Sequence, residues 1–158
     1  MAITSDWHIH SHNSCDCACM KIADMATMAR GAGIIDYGVT DHLHTACNLP
    51  DIEASRAEYL ACKPGRHFHF GVEVSCMSQW ELDEIATGRY PDSTYGLREG
   101  GPAWAALAIA LTDQDVERLG IEYVIGGTHW PMYVPWEPQA LMRDYHRQNM
   151  FLATHPVG

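Results

Sequence analysis

The sequence predicts an α/β fold built on a parallel sheet or barrel, and three observations carry that prediction. Short segments rich in apolar and β-branched residues recur along the chain, stretches with helical spacing lie between them, and each of five such segments leads to a residue able to bind metal. In parallel α/β architectures functional groups gather at the carboxyl ends of the strands, so residues distant in sequence meet around one mouth.

Residues 3–10 form the first predicted strand, which ends in His8 and His10. Strand alternation puts Asp6, His8 and His10 on one face and Ile3, Ser5, Trp7 and Ile9 on the other, beneath a helix. That helix is expected over residues 20–33, where Met20, Ala23, Met25, Met28 and Ala29 fall near helical spacing and Gly31 and Gly33 supply an exit. A second strand over 34–40 leads to His42, and Pro50 opens a helix over 51–62. The third strand, 67–75, carries Glu73 near its end. Residues 77–101 contain Tyr90-Pro91-Asp92 and lead into Gly100-Gly101-Pro102; beyond a short helix around 81–86 they read as a loop insertion. Residues 103–111 suit helix and strand equally, and Thr112 caps a helix over 113–119. Strands over 121–128 and 149–154 lead to His129 and His155, with a polar helix around His146 between them.

A length of 158 residues with 47% hydrophobic and 19% charged side chains suits one globular domain, residues 1–158, with no linker or repeat dividing it. The opening Met1, Ala2, Ile3 and Thr4 lack the basic and apolar regions of a signal peptide, and no apolar run reaches membrane-spanning length. A cytoplasmic protein with no membrane partner is the expectation, and its six cysteines are then reduced thiols. A net charge of −10 with only ten scattered Lys and Arg argues against a nucleic-acid surface and for a small substrate. The oligomeric state is not readable from the residues.

Ten histidines without a tag run are many for this length. A lone strand histidine is ordinarily a hydrogen-bonded structural residue, but agreement among five strand ends favours ligands. His67 and His69 lie toward the start of their strand and are read as structural or exposed, and His146 as solvated. His12 and His44 each lie just beyond a ligand candidate, placed to touch substrate or solvent. Cys15, Cys17 and Cys19 do not have the spacing of a zinc knuckle; Cys17 and Cys19 are expected to pack at the start of the first helix, with Cys15 at the mouth of the site.

Five phrases in order, DWHIHSH, GVTDHLH, GVEVS, EYVIGGTHW and ATHPVG, resemble the motifs of the PHP (polymerase and histidinol phosphatase) metal-dependent phosphoesterases, the second and fourth looking closest to the histidinol-phosphatase branch. The resemblance implies a distorted seven-stranded β/α barrel with two or three divalent ions, Zn, Mn or Fe, at the strand ends. It assigns His8 and His10 with Glu73 to one metal, Asp16 with His42 to another, and His129 and His155 with Glu73 to a third. Asp6 and Asp41 would orient imidazoles by accepting their free ring N–H bonds. No side chain is assigned as nucleophile, and metal-activated water is expected to hydrolyse a small phosphomonoester of the histidinol-phosphate type. The alternatives are a phosphodiesterase or nuclease of the same family, or a metal-binding domain without turnover. That last reading rests on a departure: the family's final D-x-H motif is absent, so the chain reads as the N-terminal two thirds of the barrel.

Overall fold

The computed structural model describes residues 3–156. The first two residues of the opening stretch and the last two of ATHPVG lie outside the described residues. The elements are β1 (Ser5–Ile9), α1 (Ile22–Ala32), β2 (Asp36–Val39), β3 (His42–Leu43), a 3-10 turn (Ala46–Asn48), α2 (Leu49–Ala61), β4 (Phe68–Ser75), β5 (Met77–Ser78), α3 (Gln79–Ala86), β6 (Leu107–Ala108), α4 (Asp113–Leu119), β7 (Tyr123–Gly127) and α5 (Pro138–Thr154).

A curled parallel sheet carries the α/β fold. β4 lies at its centre: β2 pairs with the first half of β4, β3 with the second half in an unchanged register, and β7 with the opposite edge. β2 and β3 thus act as one strand interrupted at Thr40 and Asp41. β1 pairs with β2 as an outer strand. Alternate side chains of β4, namely Phe68, Phe70, Val72 and Val74, are buried in the core with Ile52 and Tyr59 of α2 and Ile22 and Met25 of α1. The other alternation brings Gly71, Glu73 and Ser75 to the opposite face. α1 ends as its glycine suggests: Gly33 adopts φ 75° and its N–H reaches the carbonyls of Ala29 and Arg30.

Two glycines shape the floor beneath the strand ends. A Cβ on Gly38 would collide with the Tyr123 hydroxyl and one on Gly71 would stand 2.5 Å from its ring, which lies across β2 and β4 and donates its hydroxyl to the Trp7 carbonyl at 3.0 Å. One tyrosine on β7 thereby ties together four neighbouring strands.

Three expectations are corrected. Residues 149–154 are the end of α5, not a strand: Pro138 opens the helix, and no breaker follows until Pro156, which holds His155 extended at ψ 134°. The apolar run MFLAT therefore continues the polar helix predicted around His146. In residues 77–101 the expected short helix is α3, begun two residues earlier with Ser78 capping it at the Glu81 N–H, but β5 precedes it where loop was expected; the irregular stretch runs from α3 to β6. The alternation expected in β1 also fails. Asp6 pairs with Tyr37 and Ile9 with Val39, so Trp7 and His8 together face the single residue Gly38 in a bulge. Trp7 consequently turns to the site face, 4.7 Å from the His69 ring and 5.1 Å from that of Tyr123. Asp6 instead joins Ile9 in lining an apolar cavity against α1. Among the described residues no helix is long and apolar enough to cross a membrane.

Candidate metal centre

Glu73 is the focus of the strand ends. Its side chain is 6% exposed, and its Oε2 lies 2.7 Å from His8 Nε2, 3.3 Å from His10 Nε2 and 3.4 Å from His42 Nδ1. Its Oε1 lies 3.2 Å from His129 Nε2. The register explains the convergence: His42 stands directly opposite Glu73 across the β3–β4 ladder, and the β1 bulge directs His8 inward. Asp16 approaches from the loop after β1, its Oδ2 3.7 Å from His42 Nε2.

These side chains form three overlapping groups whose ligand atoms lie within 4.8 Å of one another: His8, His10 and Glu73; His10, Asp16 and His42; and His42, Glu73 and His129. Such imidazole and carboxylate groups, with His42 and Glu73 buried, His10 half-buried and His8, Asp16 and His129 exposed, can bind a metal ion, and this N/O donor set suits Zn²⁺, Mn²⁺ or Fe²⁺. The hydrogen-bond pattern agrees, since Nδ1 of His10 and Nδ1 of His42 are buried without a hydrogen-bond partner among the described residues.

Electrostatics prepares the same set. Burial alone would raise the Glu73 carboxyl, but hydrogen bonds from His10 and His129, the charge of His42 and the contact with His8 outweigh it and hold the group far below the usual carboxylate range. Burial also opposes ionisation of Asp16, yet the Ser14 hydroxyl, the Ala18 N–H and the charges of His10 and His42 keep it low. The hydrogen bond to Glu73 raises His10 against the effect of its own burial. Burial lowers His42 against the pull of Glu73, and drives His44 down to about 3, so the His44 imidazole is neutral near pH 7.

The loop after β1 is fastened by Asp41. This carboxylate accepts the Ser11 N–H and the Ser11 hydroxyl, each at 2.5 Å, and the Ser55 hydroxyl of α2. Among the described residues Asp41 therefore orients a backbone segment and not an imidazole, and Asp6 accepts only the His8 backbone N–H, at 3.2 Å. His44 is buried and bonded to Ser75 Oγ at 2.5 Å, while His12 pairs with Glu58 at 2.8 Å. His67 and His69 pair with Asp36 and Glu122, and His146 is exposed. His155 caps α5, 5.1 Å from the Phe151 ring, and joins none of the three groups. Cys17 and Cys19 are exposed, contrary to the expected packing, and no cysteine takes part in these groups.

Three supporting residues escaped the sequence reading. Ser75 Oγ lies 2.7 Å from His129 Nδ1, which leaves Nε2 of that ring facing Glu73. Its signal was available, because Ser75 stands two residues beyond Glu73 on one strand face. Asp144 and Gln148 of α5, both fully buried, hold the loop that carries His129: Asp144 accepts the Met132 N–H at 2.8 Å and Gln148 donates to the Trp130 carbonyl at 2.9 Å. No family model, curated protein or solved structure matches the chain.

Proposed function

We propose that the protein is a metal-dependent phosphoesterase of the PHP kind, hydrolysing a small phosphomonoester of the histidinol-phosphate type. The curled parallel sheet is then part of a PHP-type barrel. The observation that carries the reading is the convergence of three His/carboxylate groups on His10, His42 and Glu73 at the carboxyl ends of parallel strands. His8, His10, Asp16, His42, Glu73 and His129 would hold two or three divalent ions. When bound, such ions supply Lewis-acid activation of water and of phosphoryl oxygens.

The chain's own residues prepare that chemistry in three ways. Glu73 and Asp16 stay ionised near pH 7 and burial favours the neutral form of His42, so their lone pairs are open to a metal. Ser75 fixes the orientation of the His129 ring, and Asp41 holds the loop bearing Asp16. His8, with a side chain 51% exposed, and Asp16, at 36%, leave the cluster open to solutes.

The test is metal analysis paired with hydrolysis of a panel of phosphomonoesters and a phosphodiester. Metal-dependent turnover of monoesters is expected. Stoichiometric metal with no hydrolysis of any phosphoester refutes the assignment and leaves a metal-binding domain.

A further inference from the structure

The irregular chain between α3 and β6 is held more firmly than a surface loop requires. Glu81, 1% exposed, uses Oε1 to accept the Leu97 N–H at 2.5 Å, and the Tyr133 hydroxyl donates to the Leu97 carbonyl. Gly96 sits beside this clamp at φ 81°, where a Cβ would fall 2.1 Å from Glu81 Oε1. Gly101 passes so close to Tyr133 that a Cβ would stand 2.3 Å from its ring. Both peptide groups of Leu97 are thus fixed, and the next side chain, Arg98, is aimed by a rigid backbone.

That side chain stacks on Trp130, the residue that follows His129 of the metal-ligand cluster. The Arg98 guanidinium carbon lies 3.2 Å from the centroid of the Trp130 ring, which in turn lies 5.5 Å from the His129 ring and 5.3 Å from the His44 ring. Among the described residues no carboxylate lies within ion-pairing distance of Arg98, and no acceptor takes its N–H groups. Other arginines are engaged: Arg147 holds Asp144 and the Ala105 carbonyl, and Arg89 pairs with Glu84. Arg98 remains exposed to solutes. In a chain of net charge −10, an oriented guanidinium, attracted by the buried Glu81 carboxylate but giving none of its N–H groups to it, counters the repulsion that an anionic ligand would meet from Glu73 and Asp16. Its planar fork matches the oxygens of phosphate.

We propose that Arg98 is the anion-binding group of this site and takes the phosphoryl oxygens of the substrate. The inference rests on the phosphoesterase reading for the identity of the anion. Its substrate class is a small phosphate ester whose phosphoryl group spans the ligand cluster and the face of Trp130.

The experiment is calorimetric titration of the metal-loaded protein with inorganic phosphate. Arg98→Ala is expected to keep its full metal content and weaken phosphate affinity about 10–100-fold, the loss of a charge-assisted hydrogen bond. Arg98→Lys should recover part of that loss, and Arg89→Ala should bind as the wild type does. Equal affinity in wild type and Arg98→Ala overturns the proposal, as does an equal loss in Arg98→Ala and Arg89→Ala, or no phosphate binding by the wild type. Arg98-dependent phosphate binding without hydrolysis of any ester upholds the subsite and refutes the hydrolase. Hydrolysis with an unchanged KM in Arg98→Ala refutes the subsite alone.

Discussion

Replacing Gly127 with alanine tests the ligand cluster without removing a ligand. The new Cβ would stand 2.4 Å from Glu73 Oε1 and 2.4 Å from His129 Cε1, at least about 1 Å inside comfortable contact. The ladder between Ser75 and Gly127 holds the backbone in place, so the two side chains must retreat. Metal ligation tolerates only about 0.2 Å of error in such distances, and a disturbance of this kind is expected to lower metal affinity about 10–100-fold. The adjacent glycine provides the control, because a Cβ on Gly126 would meet Leu152 of α5 at 3.1 Å on the opposite face. Overpacking there costs about 1–3 kcal/mol, partly offset by about 0.4–1 kcal/mol from a stiffer unfolded chain. The remainder of about 1 kcal/mol lowers Tm by about 2–4 °C and leaves metal affinity unchanged. Competition against a chelator measures the affinities of both variants for Zn²⁺ or Mn²⁺, and thermal unfolding of the metal-free forms measures stability. Wild-type affinity in Gly127→Ala, or an equal loss in Gly126→Ala, would refute the placement of Glu73 and His129 as partners in one site.

Further outcomes follow from other parts of the cluster. Asp41→Asn, with one acceptor oxygen in place of two, should cost about 3 kcal/mol in urea unfolding, and a change below 1 kcal/mol would show that the Ser11 and Ser55 bonds contribute little. His44 has its pKa lowered to about 3, so below about 6.5 the unfolded chain binds a proton that the folded chain refuses. Stability is then lost as pH falls from about 6.5 toward 3, by up to about 1.4 kcal/mol per unit; His44→Gln should flatten this limb, and an unchanged slope counts against the buried neutral ring. Asp16→Ala should reduce metal stoichiometry by one while His155→Ala leaves it unaltered, and loss of metal in His155→Ala would restore that residue to the ligand set. Metal uptake near pH 6.5 should release protons and near pH 8.5 release fewer, because His10 is raised by Glu73; calorimetry in buffers of different ionisation enthalpy reads the difference, and no buffer dependence at pH 6.5 would contradict it.

The strand ends were legible because two patterns coincide there, a β-branched run and a His or Glu just beyond it. What escaped depends on contacts the sequence does not display. The β1 bulge adds one residue against Gly38, and nothing in SDWHI marks it, so Asp6 and Trp7 were assigned to each other's faces. In α5 the apolar residues 150–153 resemble a strand taken alone; only the missing breaker before Pro156 marks them as helix. Asp144 and Gln148 lie at a spacing of four in a polar helix, with nothing in the sequence to show that they bond each other and the backbone of the loop after β7. Arg98 is similar, since its position depends on a buried glutamate at residue 81 and a tyrosine at residue 133.

The donor arithmetic around Glu73 explains why this cluster differs from a structural ion pair. Three imidazole nitrogens lie within 3.4 Å of one carboxylate oxygen, and Nε2 of His8 and His10 are only 3.2 Å apart. A neutral imidazole has one N–H, so in that pair two lone pairs, or two hydrogens, oppose each other unless the tautomers differ. Even then, among the described residues Nδ1 of His10 and of His42 make no hydrogen bond, although that of His42 lies 3.4 Å from Glu73. A carboxylate buried for stability alone is best paired with a permanent cation in full hydrogen-bonding geometry, yet among the described residues no Lys or Arg pairs with Glu73, and every ion partner it has is a histidine. Histidine is the cation that can surrender its proton near neutral pH. A buried negative charge surrounded by removable protons is stable in acid through His10 and requires another positive charge as those protons leave. A divalent ion meets that requirement with the lone pairs already turned inward.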